Sequence, residues 1–276
     1  MSLMLKLLLS AILLSSFLYA DKNTKLVEEF LEDAVSDNRN IDNLEINVVD
    51  TIKVEQLKNW NAYIVSIEAT LKKDKQKIKQ KMVWFSDGVV ITQKLNILST
   101  GDSLSDLIHP AFKDEYYKKE NLIYGNADAK YKIAIFSDPL CPFCRRFVPK
   151  AIKDMREQPN QFAIYYYNFP LPAIHPASVV LVKAAISAEL KGYKDVVLKL
   201  YNVKVKSREK NVDVILKAFN KAMKIDIKAS DLKSKNVLAR YESDLDIANN
   251  LMVGGTPTMF FNGILDKTKK KYQKVK

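Results

Sequence analysis

Tyr131-Lys132-Ile133-Ala134-Ile135-Phe136-Ser137-Asp138-Pro139-Leu140-Cys141-Pro142-Phe143-Cys144 begins as an apolar, strand-like run and ends as a helix start. Residues 131–136 read as a strand and Ser137 to Leu140 as a turn, and a helical stretch runs from Cys141 to Glu157. Pro142 falls in the first helical turn, where a missing N–H costs nothing, whereas Pro149 in the interior predicts a kink. A strand that hands Cys141 to a helix N-terminus exposes its sulfur at the positive end of the helix dipole, which favours the thiolate. Cys144 lies one turn further in, where packing would shelter it.

Downstream, residues 162–167 form a second strand, and residues 177–249 are helix-rich, with apolar spacing in Val179 to Leu190, Val196 to Tyr201, Val212 to Met223 and Leu232 to Leu251. The chain closes with strand-like Thr258 to Phe261, a turn at Asn262-Gly263, and Lys270 to Val275, expected to pair back as the last strand. The order β-α-β, helical block, β-hairpin defines an α/β domain.

The chain has only two cysteines, spaced C-x-x-C. Closing so short a loop constrains the unfolded chain little, so stapling explains the pair poorly. A structural zinc site needs about four ligands, and the two histidines, His109 and His175, lie in unrelated segments; no metal site is expected. Redox chemistry remains: one thiolate attacks a disulfide, the second breaks the mixed disulfide, and no external cofactor is required. Phe143 between the cysteines is neutral, which argues against an extreme oxidant. Arg145 and Arg146 read either as a solvated helix face or as a bias on the local potential. Asp138 reads either as a helix cap or as a proton relay.

Upstream, an apolar run between Lys6 and Asp21 ends at Ala20, as a secretory signal peptide over residues 1–20 would. It is shorter than the ~20 residues that cross a bilayer. Its removal takes the formal charge from +12 to +11 and leaves length for two domains. A hydrophobic content of 47%, with 13 Tyr and 12 Phe, supplies a core and excludes a disordered chain. Residues 24–35 predict an amphipathic helix and Ser36 to Asn43 a polar turn. Alternation over residues 63–71, a turn, lysines at every odd position from Lys73 to Lys81, apolar Met82 to Phe85 and strand-like Val89 to Thr92 then predict an antiparallel meander. The lysine row solvates one strand face and deters edge pairing more readily than it binds anions, because no aromatic residues interleave with it; nucleic acid is not an expected partner. Residues 100–125 predict a linker with helical segments through Leu104 to Ile108 and Phe112 to Lys119, interrupted at Pro110, beside which His109 reads as a solvated or packed side chain.

Two motifs together resemble the thioredoxin superfamily, and within it the periplasmic DsbC/DsbG-type disulfide isomerases, with DsbA-type oxidases as more distant relatives. One is Phe136 to Cys144; the other is Val253-Gly254-Gly255-Thr256-Pro257-Thr258, just before a strand. The resemblance implies a cis-proline loop at Pro257 facing the catalytic pair Cys141 and Cys144, with Thr256 beside Cys141. It also implies a substrate surface made by Thr256, Pro257, Pro142 and Phe143. It further implies an α+β protein: an N-terminal α+β dimerisation domain (21–99), a linker helix (100–125), and a C-terminal thioredoxin-like domain (126–276) with a helical insertion at about 177–249. Expected partners are misfolded exported proteins with cysteines, a membrane redox partner and a second copy in a homodimer, all in the periplasm. The chain departs from the pattern in having a basic strand in place of a C-terminal lid helix. His175, in a loop leading into a helix, has no assured counterpart, and a structural loop role is expected for it over a place in the substrate groove. An isomerase or reductase leads; an oxidase, a chaperone-like binding module and a dedicated reductant for cytochrome maturation stand as rivals.

Overall fold

The computed structural model describes residues 22–275; the expected signal peptide lies outside them. Among the described residues no helix is long and apolar enough to cross a membrane. The chain divides into two compact units, one ending at Pro110 and the other beginning at Ala111.

The first unit sets a helix, α1 (22–36), on an antiparallel sheet of β1 (Ile41–Lys53), β2 (Asn61–Leu71), β3 (Lys77–Ser86) and β4 (Ile91–Thr92), in that order. Val27 and Leu31, one turn apart, pack on Ile46, Tyr63 and Val65. The Val48 N–H donates to Glu28 Oε1 at 2.7 Å, tying helix to sheet. β1 begins inside the segment expected as a polar turn. Of the lysine row, Lys77, Lys79 and Lys81 stand on β3 opposite Thr70, Glu68 and Ser66, and Lys79 pairs with Glu68. Val89 and Val90, expected in a strand, are exposed instead. The Asp87 carboxylate accepts from both of their N–H groups at 2.9 and 3.0 Å, which removes the donors a ladder would need, so pairing resumes only at Ile91.

The second unit is a five-stranded sheet in the order β5 (Leu122–Tyr124), β7 (Phe162–Asn168), β6 (Tyr131–Ser137), β8 (Thr258–Phe261), β9 (Ile264–Leu265), with β6 and β7 parallel. Successive residues of a strand face opposite ways, so Ile133, Ile135, Ile164, Tyr166 and Met259 meet α2 (Pro142–Arg156), whereas Ala134, Phe136, Tyr165, Tyr167 and Phe260 meet Phe112 and the end of α6 (Lys235–Asn250). Between β7 and β8 the chain builds a helical block of α3 (Pro176–Leu190), α4 (Val196–Leu200), α5 (Val212–Met223) and α6; α3 to α5 share an apolar core around Leu181, Leu200 and Phe219. α2 stays helical across Pro149.

Two expectations fail here. Residues 100–125 form no α-helix, only 3₁₀ turns at Ser105–Leu107, Asp114–Tyr116 and Lys119–Asn121 followed by β5. The aromatic residues of this stretch go to the sheet: Phe112 lies 4.5 Å from Tyr117, 5.4 Å from Phe260 and 5.8 Å from Tyr167, and its N–H donates to Gly263 O. Their burial overrides the helical propensity of the charged residues between them. Nor does Lys270 to Val275 form a strand. Buried Asp266 accepts from Thr268 N–H at 3.1 Å and Lys271 N–H at 2.8 Å, winding the chain into a turn, and Lys271–Lys274 is a 3₁₀ helix whose Tyr272 joins the α2 core.

Candidate redox site

β6 ends at Ser137, and the turn Asp138 to Leu140 delivers Cys141 as the N-cap of α2, with Pro142 at the first helical position. β8 runs antiparallel to β6 with Thr258 opposite Phe136, so the loop before β8 arrives beside the turn after β6. That register brings the two sequence motifs together. The Cys141 thiol donates to Thr256 O at 3.7 Å, and the Thr256–Pro257 bond is cis. Both cysteines are free. Cys141 is more enclosed than a helix N-terminus suggested, 5% exposed, because the Thr256 loop covers it; Cys144 is fully buried.

Cys144 shares the buried stripe of α2 with Val148, Ala151, Ile152 and Met155. The side chains beneath it are polar. Ser137 continues the alternation of Ile133 and Ile135 toward this face; its hydroxyl lies 2.6 Å from Tyr201 OH, which lies 2.9 Å from Tyr166 OH. Burial pushes the Cys144 thiol up to about 11, opposed first by the neighbouring Ser137 hydroxyl. Burial likewise raises the Tyr166 and Tyr201 phenols above their ordinary range, so both remain neutral hydroxyls. The repeating odd positions of β6 were the signal for Ser137; Tyr201, from the helical block, left none.

Asp138 is fully buried, and its carboxylate does not cap α2. Its Oδ1 accepts from Leu140 N–H (2.7 Å) and Ser178 Oγ (2.6 Å), and its Oδ2 accepts from Leu171 N–H (2.9 Å) and contacts His175 Nδ1 (3.0 Å). One carboxylate thereby ties the cysteine turn to the loop after β7 and to the start of α3. His175, the residue before α3, serves this tie. His109 reaches Asp106 O at 2.8 Å. Arg145 is not on a solvated face: it donates to Pro139 O and Val203 O at 2.8 and 2.7 Å, and desolvation lowers its pKa. Arg146 does face outward, 5.2 Å from the centre of the Phe143 ring.

Of the residues named from sequence, Cys141, Cys144 and Thr256 converge at the sulfurs, while Phe143, Thr256 and Pro257 line an open groove of about 500 Å³ together with Arg146, Phe147 and Lys269. Pro142 opens the helix and stands outside that lining. Among the described residues no group of three or more His, Cys, Asp or Glu is placed to hold a metal ion.

A thioredoxin family model matches residues 118–276. The chain is 28% identical over 153 residues to a probable disulfide bond formation protein D of Bacillus cereus, covering 51% of this chain and 69% of that one. It is 22% identical over 169 residues to a Na(+)/H(+) antiporter NhaA 3 of Salinispora tropica, covering 60% of this chain and 24% of that one. The solved thiol-disulfide exchange protein alpha-DsbA2 of Wolbachia pipientis aligns with a TM-score of 0.47 at 19% identity, over 60% of this chain and 92% of that one. With a family match over more than half its length, the chain belongs to the thioredoxin family and is a thiol–disulfide interchange protein of that superfamily.

Proposed function

We propose that this protein exchanges disulfides on the cysteines of exported proteins in the periplasm, with Cys141 as the attacking sulfur and Cys144 as the resolving one, working as an isomerase or reductase. The observation that carries the assignment of roles is the contrast between the sulfurs. Cys141 sits at a helix N-terminus against the edge of a groove; Cys144 is sealed behind it with its thiol held protonated by burial.

Cys141 thiolate attacks one sulfur of a client disulfide, whose S–S bond breaks as the other client sulfur leaves and takes a proton. Cys144 then loses its proton and attacks Cys141 Sγ, releasing the second client thiol and leaving the Cys141–Cys144 disulfide. Two electrons have passed to the client, and a membrane donor must return them. In isomerisation a client thiol displaces Cys141 instead, and no net electrons move.

The direction is supported by the surroundings of the pair. The Arg145 guanidinium is committed to two backbone carbonyls and Phe143 is neutral, so the reduced pair gains little of the cationic stabilisation that makes a strong oxidant. The oxidase reading draws on the printed name of the Bacillus cereus relative, a disulfide bond formation protein. We assign self-association to residues 21–99, joined through residues 100–125 to the catalytic residues 126–276. Exposed Leu26, Phe30, Val89 and Val90 around a shallow apolar groove support that assignment.

Acid trapping of intact cells followed by alkylation with a mass-shifting thiol reagent tests the direction. A pair found largely reduced is expected; a largely oxidised pair would make the protein an oxidase.

A further inference from the structure

The groove beside Cys141 is apolar at its centre and basic at its edges. Phe143, Phe147 and Pro257 supply the apolar surface, Arg146 comes from α2, and Lys269 comes from the turn after β9; no carboxylate lines it. Lys150, one turn further along α2 than Arg146, is paired with Asp154. Among the described residues neither Arg146 nor Lys269 has such a partner. Arg146 lies over the Phe143 ring, an arrangement that holds the guanidinium in place and leaves N–H groups for a ligand.

The lysine is placed by a built turn. Asp266, fully enclosed, accepts from Thr268 N–H and Oγ, at 3.1 and 2.7 Å, and from Lys271 N–H at 2.8 Å, and its own carbonyl accepts from Lys269 N–H at 3.1 Å. Those bonds hold Lys269 at φ +55°, in the left-handed region that residues with a Cβ seldom adopt. The one acidic residue of this basic segment is thus spent inside the turn, and Lys269 is left lining the groove.

We propose that the groove selects its clients by charge, taking extended polypeptide segments in which an apolar residue and an aspartate or glutamate flank the reacting cysteine. The proposal rests on the exchange reading given above. A client strand laid beside Thr256 would bring its sulfur to Cys141, its apolar side chain onto Phe143, Phe147 and Pro257, and its carboxylate between Arg146 and Lys269. Charges at the rim of an interface act mainly on association rate and specificity, and salt screens them.

Two peptides that differ only in flanking residues, two glutamates or two lysines around Leu-Cys-Phe, each with the cysteine as a methyl disulfide, provide the test. Reduced protein is mixed with each, quenched in acid and weighed by mass spectrometry; exchange yields the peptide thiol, methanethiol and the Cys141–Cys144 disulfide. The glutamate peptide should react about tenfold faster at low salt, and the ratio should fall as salt rises. Arg146→Gln with Lys269→Gln should bring the ratio near one, and Arg146→Glu with Lys269→Glu should invert it. Lys217→Gln with Lys221→Gln on α5, the same change of charge elsewhere, should leave it alone. Because each ratio comes from one preparation, loss of folded protein cancels, and the salt dependence of the wild type needs no variant. Equal wild-type rates, or an equal response to the α5 change, would overturn the groove while leaving the exchange reading standing; no reaction with either peptide would overturn both.

Discussion

Along β7 every residue from Phe162 to Asn168 is buried, whereas β2 is buried from Ala62 to Ser66 and only partly covered from Ile67 onward. β3 shows the same gradient, exposed at Lys77 and closed at Phe85. The five-stranded sheet has cover on both faces; the four-stranded one has a single helix on part of one. This difference decides what chemistry each sheet can hold. In the second unit polar groups sit inside, and burial displaces their titration, as at Cys144, Tyr166 and Asp244. In the first, the shifted groups are exposed carboxylates, Asp42 held down by Lys75 and Asp87 by the Val90 and Val89 N–H groups. The fully buried sulfur of the redox pair, Cys144, packs in the core of the doubly covered sheet.

The sharpest way to break this contrast is to remove one carboxylate from each sheet. Asp244 on α6 accepts from Asn121 Nδ2 (2.8 Å), from Asn168 N–H and Nδ2 (3.0 and 2.9 Å), and from Arg240 Nε (3.5 Å). Asp244→Ala strands a nearly buried guanidinium and two amides, and should cost about 3 kcal/mol in denaturant unfolding of the second unit. Glu68→Ala breaks only the exposed pair with Lys79 and should cost less than about 1 kcal/mol. Equal losses would mean that cover does not separate the two sheets energetically.

A smaller effect separates them by pH. Burial pushes Glu189, near the end of α3, from 4.5 up to about 7, with Arg240 opposing and Asp244 adding to the rise. A group whose folded pKa is raised contributes stability below its unfolded value and loses it as pH climbs through the folded one. Its contribution should therefore fade between about pH 4.5 and 7. Glu189→Gln, neutral throughout, should melt like the wild type near the bottom of that window and be more stable by about 2 kcal/mol above it. A difference that does not change with pH would put Glu189 in water, as Asp42 is.

How far the sequence could be read follows from the range of the forces involved. The switch from an apolar run to a helix opening at Cys141-Pro142 is local, and β6, α2 and the two motifs were legible from it. β1 was not, because register shifts at Ile41/Asn43 and Val48/Asp50 break the alternation that marks a strand. The path of residues 100–125 is not legible because charged helix formers dominate their composition while Phe112 and Tyr117 decide it. Asp138 looked like a cap from its neighbours alone; three of its four partners, Leu171, His175 and Ser178, lie more than thirty residues away. Tyr201 belongs to the site only because the helical block folds back over it.

The same floor of hydroxyls gives the finest test of what cover does. Ser137→Ala removes a hydrogen bond that favours the Cys144 thiolate, so the thiol should climb above about 11. Each tenfold loss of thiolate is offset in part because a more basic thiolate is a better nucleophile, with a Brønsted coefficient of about 0.4–0.5, so one unit of rise should slow resolution of the mixed disulfide only about threefold. Tyr201→Phe acts the other way. It takes from Ser137 Oγ its 2.6 Å partner and leaves that hydroxyl free to turn wholly to Cys144, so resolution should quicken by a similar factor, although loss of the buried bonds costs about 1 kcal/mol of stability. Quenched-flow measurement of the mixed disulfide reads both changes. Opposite signs would show the hydroxyls acting on the sulfur, whereas two slowed variants would show them only filling the space beneath it.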